Sequence, residues 1–243
     1  MKTKTWLQCA FAVIALAALA AASTVPVTFT NATSGLGGSP NPPQGVFYYP
    51  YQLTVNGTSF TVACDDFDDT VHLGEQWNAD VSTFAGGLTN TLFWNAGDPS
   101  GSLKKYQEAA WLFSKFTPAP PGPLDNNVNA AINWAIWDLM GKSVGSADPN
   151  PPGAFGAANC FANTSACQQT SGYWLNLAQN TNLSNFDFSS FVIFTPVNGW
   201  PSNDGRPQEY IGEVPEPGTV LLLASGLIGL AGLAWKRRLA SAA

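Results

Sequence analysis

Hydrolysis by a Ser-His-Asp set needs a base, and His72 is the one histidine among 243 residues. The chain has neither a G-x-S-x-G elbow nor an H-E-x-x-H zinc motif. A structural or solvated histidine beside an acidic run is therefore the expectation. Carboxylate-pair glycosidase chemistry needs only one Asp and one Glu converging in space, and no spacing here asks for it. Asp65, Asp66, Asp68 and Asp69 offer the oxygen ligands that calcium takes. Their spacing departs from the D-x-D-x-D-G loop. A solvated acidic turn is expected, with no metal and no cofactor. Cys160 and Cys167, with a short loop between them, read as a local disulfide if the chain is exported. That pairing leaves Cys64 without a partner.

Local patterns place these residues on a β-rich framework. Thr24 to Thr30 alternates apolar and polar residues as a half-buried strand does, and Gly45 to Leu53 is extended, with Pro50 at an edge or bend. Asn56-Gly57 between alternating runs is a tight hairpin turn, whose second strand delivers Cys64. Leu103 to Phe116 has helical period, with Leu103, Tyr106, Ala110 and Phe113 on one stripe, Ser102 as cap and the run Pro118 to Pro123 as its end. A second helix is expected from Asn126 to Met140, capped by Asp125 and stopped by Gly141. A third covers Gln168 to Gln179. Phe186 to Thr195 and Gln208 to Glu213 alternate as two more strands. The fold class is α+β: a β-rich, mostly antiparallel framework with two to three inserted helices.

Both ends of the chain carry addressing information. Lys2 and Lys4, an apolar stretch from Cys9 to Ala21 and small residues up to Ala22 make residues 1–22 a secretory signal peptide, read by Sec export machinery. At the other end, Val214-Pro215-Glu216-Pro217 precedes an uncharged run from Gly218 to Trp235. At about 1.5 Å per residue that run spans roughly 27 Å, near the 30 Å or so of a bilayer core. Lys236, Arg237 and Arg238 then favour a cytoplasmic tail. In this position the combination resembles the PEP-CTERM sorting signal of Gram-negative bacteria. The resemblance implies an exosortase-type processing protease as partner, a transient inner-membrane anchor over 214–238, and delivery to the cell surface or extracellular matrix.

Residues 23–213 are then the exported globular domain. Without the terminal segments it keeps five cations against fifteen acids, a net charge of −10. Such a surface repels nucleic acid, so no nucleic-acid partner is expected.

Cys64-Asp65-Asp66-Phe67, Gln107-Glu108-Ala109-Ala110-Trp111 and Asn133-Trp134-Ala135-Ile136-Trp137 together resemble the thioester adhesion domains of bacterial surface proteins. The resemblance implies a Cys at a strand end facing a Gln in a Q-x-A-I-W helix, the two condensed into an internal thioester that acylates a partner surface. This sequence has Asn133 where that motif has Gln, a side chain one methylene shorter. Gln107 stands at an equivalent offset before Trp111. The alternative is a buried free Cys64 among core tryptophans. The resulting expectation is an exported structural or adhesive protein with no enzymatic turnover. A Cys64 thioester adhesin is the second reading, and a secreted hydrolase or carbohydrate-binding module the third.

Overall fold

The computed structural model describes residues 24–33, 48–117, 123–141, 168, 170–197 and 205–214. The expected signal peptide, the Cys160–Cys167 pair, Pro215 to Pro217, the span Gly218 to Trp235 and the terminal cations lie outside the described residues. Among the described residues no helix is long and apolar enough to cross a membrane. Ala21–Glu213 forms one compact unit.

Within it, β1 (Thr24–Thr33), β2 (Tyr48–Val55), β3 (Thr58–Cys64) and β4 (Gln76–Thr83) precede three helices, α1 (Pro99–Phe113), α2 (Pro123–Leu139) and α3 (Ser171–Asn180). β5 (Phe191–Pro196) and β6 (Tyr210–Glu213) follow. All strand pairs are antiparallel, and the order β1-β2-β3-β6-β5-β4 closes into a barrel. The expected antiparallel framework is thus present, as a closed barrel with three helices inserted between β4 and β5. Closure leaves no sheet edge to protect. Pro50 accordingly marks no edge: it sits in the irregular stretch of β2 where pairing with β1 skips from Tyr51 to Tyr48. A bulge tolerates the missing amide donor.

Period-two burial follows from the strand sequences. Val25, Val27 and Phe29 of β1 are buried, as are Tyr49, Tyr51, Leu53 and Val55 of β2, and the residues between them are more exposed. Tyr210 ties the rings together, with Tyr51 at 5.6 Å and Trp77 at 6.2 Å between centroids. All of β5 is buried, one end against the helical layer through Phe113 and Phe191, 6.0 Å apart. A strand covered on both faces reads as a continuous apolar run, which FVIFTP does. At the β2–β3 hairpin Asn56 and Gly57 both have positive φ, 49° and 80°, the twist that suits a two-residue turn.

The helices differ from expectation at their ends. α1 starts at Pro99, and its cap is Asp98, whose Oδ1 accepts from Gly101 N at 3.0 Å. Proline at the first position and an acidic cap before it form a strong start. A Cβ at position 101 would press on the Asp98 carboxylate, which would have to swing away from its capping position. Ser102 instead donates to Asp98 O and accepts from Asn95 N. α1 ends at Phe113, ahead of the proline run, as Ser114 turns the chain with its N–H on Ala110 O. Leu103 is half exposed, so the buried stripe is Tyr106, Ala110 and Phe113.

α2 begins at Pro123, which places Asp125 inside the helix and not at its cap. Ala131, Ile132, Ala135 and Ile136 are fully buried. Each such Ile contributes about 1.5–3 kcal/mol. Gly141, with φ of 90°, stops the helix as expected. α3 starts three residues later than expected, where the Thr170 hydroxyl caps Tyr173 N. β5 starts at Phe191, since Asp187 accepts from Ser189 N and holds the preceding residues in a turn.

Candidate functional site

Cys64 is the last residue of β3 and is free, with no exposure. Asn133, also wholly buried, reaches it from α2. Its Nδ2 donates to Cys64 O at 3.0 Å, and its Oδ1 accepts from Tyr49 N at 3.0 Å. One side chain therefore pins the helical layer to two adjacent strands. The carboxamide matches one carbonyl and one N–H with nothing left over but its second amide hydrogen. The Cys64 thiol donates to Asp66 O at 2.9 Å. Burial, then the carboxylates of Asp66 and Asp65, push the thiol well above its ordinary range, so it carries its proton. Trp137 lies beside it, 1% exposed; its indole N–H makes no hydrogen bond of normal geometry and only weakly favours charge on the sulfur.

Phe67 packs over both tryptophans of α2, at 5.8 Å from Trp134 and 5.0 Å from Trp137. The strand end and the N-W-A-I-W segment of α2 thus meet, through the main-chain oxygen of Cys64 and not through its thiol. Gln107 does not join them. It is half buried and lines an open groove with Gln179, Phe186 and Phe188. Trp111 is a buried anchor of α1, with the Lys115 ammonium 4.6 Å from its ring centroid.

The acidic run corrects one expectation. Asp65 and Asp66 are fully buried, whereas Asp68 is exposed. The backbone explains the burial, because Asp65 N donates to Glu209 O at 3.3 Å and continues the β3–β6 seam by one residue. Asp66 Oδ1 accepts from Asp68 N at 3.3 Å, and its Oδ2 lies 3.6 Å from Arg206 Nη2. Arg206 binds Asp69 Oδ2 more closely, through Nε at 2.8 Å and Nη2 at 2.6 Å. Burial and the adjoining Asp69 outweigh that guanidinium, so the Asp66 carboxyl is pushed up to about 8.

Glu209 lies at the centre of this cluster, fully buried just before β6. Leu92 N donates to it at 2.8 Å, Tyr106 Oη at 2.6 Å, and the Thr195 hydroxyl also donates. Three donors favour its charged form, yet burial leaves its pKa raised. Neither Asp65 oxygen has a hydrogen-bond partner of normal geometry. Burial first, then the Glu209 and Asp66 charges, hold Asp65 far above the carboxylate range. A proton on Asp65 relieves an otherwise uncompensated buried charge.

Sequence reasoning missed Glu209, Tyr106, Thr195 and Arg206 in this cluster. Two signals were available: Tyr106 on the buried stripe of α1 needs a partner for its hydroxyl, and Arg206 is the one arginine of residues 23–213. Among the described residues no group of three or more His, Cys, Asp or Glu side chains is arranged to hold a metal ion. His72 is exposed; its N–H donates to Glu75 Oε2 at 2.9 Å, and its carbonyl accepts from Glu75 N.

β6 ends at Glu213, whose carboxylate accepts from Ser190 Oγ at 2.9 Å, and the next residue opens the Val-Pro-Glu-Pro stretch. No curated protein and no solved structure matches the chain. Residues 213–238 match the family model described as the PEP-CTERM protein-sorting motif. The chain carries that sorting motif directly after its last barrel strand, which implies exosortase-dependent processing and export to the cell envelope or surface.

Proposed function

We propose that this is a structural or adhesive protein of the cell surface or extracellular matrix, held through Sec export and a transient C-terminal anchor, with no catalytic turnover. The observation supporting a non-catalytic reading is how the Cys64 junction uses its groups. The Asn133 carboxamide is engaged on Tyr49 N and Cys64 O, and the thiol is buried, protonated and bonded to a backbone carbonyl. An amide so engaged is a cross-brace, and a protonated buried thiol is a poor nucleophile. The fully buried acids Asp65 and Glu209 offer no substrate a path, unlike the cleft-borne carboxylates of a hydrolase. Cell fractionation of a chain tagged after Ser23 tests the location. The tag is expected in the surface or matrix fraction without residues 218–235, and retention of intact chain in the inner membrane would overturn the sorting reading.

The second reading, a covalent adhesin, is favoured by the contact between Asn133 and the Cys64 residue itself. In that reaction Sγ bonds to the Asn133 carboxamide carbon, the C–N bond breaks, and the thiol proton leaves with the amine as ammonia. The mass falls by about 17 Da. Intact-mass measurement of purified protein separates the two. Full mass with one thiol titrated at Cys64 after unfolding supports the cross-brace, and a deficit abolished by Cys64→Ala supports the thioester.

A further inference from the structure

An open groove of about 560 Å³ runs along α1 and the segment after α3, built from other residues than the Cys64 junction. Small-ligand sites occupy about 300–1,000 Å³. Half-buried Phe186 and Phe188 line it with centroids 4.9 Å apart. Phe84 holds Phe188 at 4.9 Å and Phe191 holds Phe186 at 5.8 Å, so both rings are fixed by packing. Gln107 of α1 and Gln179 of α3 also line the groove, and among the described residues neither carboxamide has a hydrogen-bond partner. The two charged lining residues cancel: Lys104 Nζ lies 3.5 Å from Glu108 Oε1, one helical turn away.

A groove whose one lysine and one glutamate pair with each other carries no net charge to recruit a charged occupant, on a domain of net charge −10. A cation asks for converging carboxylates and an anion for unpaired cations. What remains is a neutral ligand with an apolar face for the rings and groups that both donate and accept for the carboxamides. We propose that this groove binds a neutral oligosaccharide, whose C–H groups pack against Phe186 and Phe188, two rings inclined at 59° to each other, while its hydroxyls pair with Gln107 and Gln179. A ring's π face is negative and attracts the positive C–H edge of a sugar. A carboxamide offers donors and acceptors that match hydroxyls in either sense. An extended peptide is the poorer fit, because the barrel is closed and offers no edge for strand addition. The proposal rests on the reading of the chain as a surface or matrix protein and supplies its ligand class. Binding is measured on purified protein, so its failure leaves the location of the chain untouched.

The test is affinity electrophoresis of the full chain in detergent, through native gels containing hydroxyethyl cellulose, dextran or galactomannan. Retardation is expected with at least one polymer, relieved by short oligosaccharides of the same linkage. The double variant Gln107→Ala, Gln179→Ala should weaken it at least about tenfold, as loss of two ligand hydrogen bonds predicts. Leu73→Ser, at an exposed site absent from the groove lining, should be retarded like the parent chain. No retardation in any of the three polymers overturns the proposal. So does retardation that the double variant leaves unchanged, or that a neutral Asn- and Gly-rich peptide relieves and oligosaccharide does not.

Discussion

Cys64 and Asp65 are neighbours at the end of β3, both without solvent exposure, and their surroundings treat polarity in opposite ways. Around Cys64 the polar groups are matched: its carbonyl and Tyr49 N share the Asn133 side chain, and its thiol has a carbonyl acceptor. Around Asp65, two buried oxygens lack hydrogen bonds of normal geometry, while the neighbouring Glu209 gathers three donors. A matched buried amide holds the same bonds at any ordinary pH. An unmatched acid persists only by keeping its proton, so that side of the barrel end is tied to pH.

Removing the brace should give a large effect at every pH. Asn133→Ala leaves Tyr49 N and Cys64 O buried without partners, at about 1–3 kcal/mol each. Urea unfolding is expected to show a loss of about 4 kcal/mol in all. A loss below about 1 kcal/mol would mean that water or a backbone shift replaces the side chain, and the contrast with Asp65 would collapse.

The acid side should answer to pH. Asp65, Asp66 and Glu209 all have folded values raised above their unfolded ones, Asp66 to about 8. The unfolded chain therefore releases protons first, from about pH 4 upward. The stability these groups give is complete below that point and is lost as pH climbs; for Asp66 the window is from about pH 4 to about 8. Asp66 costs up to about 1.4 kcal/mol per pH unit inside its window, and Asp65 and Glu209 act in the same direction. Thermal melting is expected to move down from pH 5 to pH 8. Asp65→Asn keeps the size without the ionisation and should flatten that slope by about one group's share. A melting temperature that rises over the same interval would contradict the assignment of a proton to Asp65.

The two sides were unequally legible in the sequence. The strand that carries Cys64 is announced by Asn56-Gly57, and α2 by its buried Ala131, Ile132, Ala135 and Ile136, because both signals are local. The meeting of Cys64 with Asn133 is long range, and only motif resemblance pointed to it. Nothing comparable marked Asp65, whose neighbour Glu209 comes from the far end of the domain. A run of acids read alone looks solvated, since its burial is decided by the β3–β6 seam. Barrel closure was illegible for the same reason: β1 meets β4 beyond the whole β2–β3 hairpin, and β3 meets β6 beyond β4, all three helices and β5. The α1 cap lies upstream of the first apolar residue, Leu103, because Asp98-Pro99 already spells an N-terminus.

Arg206 offers the finest test, because it touches the acid side from its rim. Its guanidinium holds Asp69 at 2.6 Å and stands 3.6 Å from Asp66, with 29% of its own side chain exposed. A partly solvated pair of this kind contributes about 0.5–1 kcal/mol. Arg206→Ala should therefore cost little at pH 5, where Asp66 carries its proton. At pH 8 the cost should grow, because the only cation near an ionising Asp66 is then missing among the described residues. Asn133→Ala has no ionising group to amplify it and should cost the same at both pH values. If the Arg206 loss is equal at pH 5 and pH 8, the guanidinium serves Asp69 alone, and the pH response belongs to the inner pair of Asp65 and Glu209.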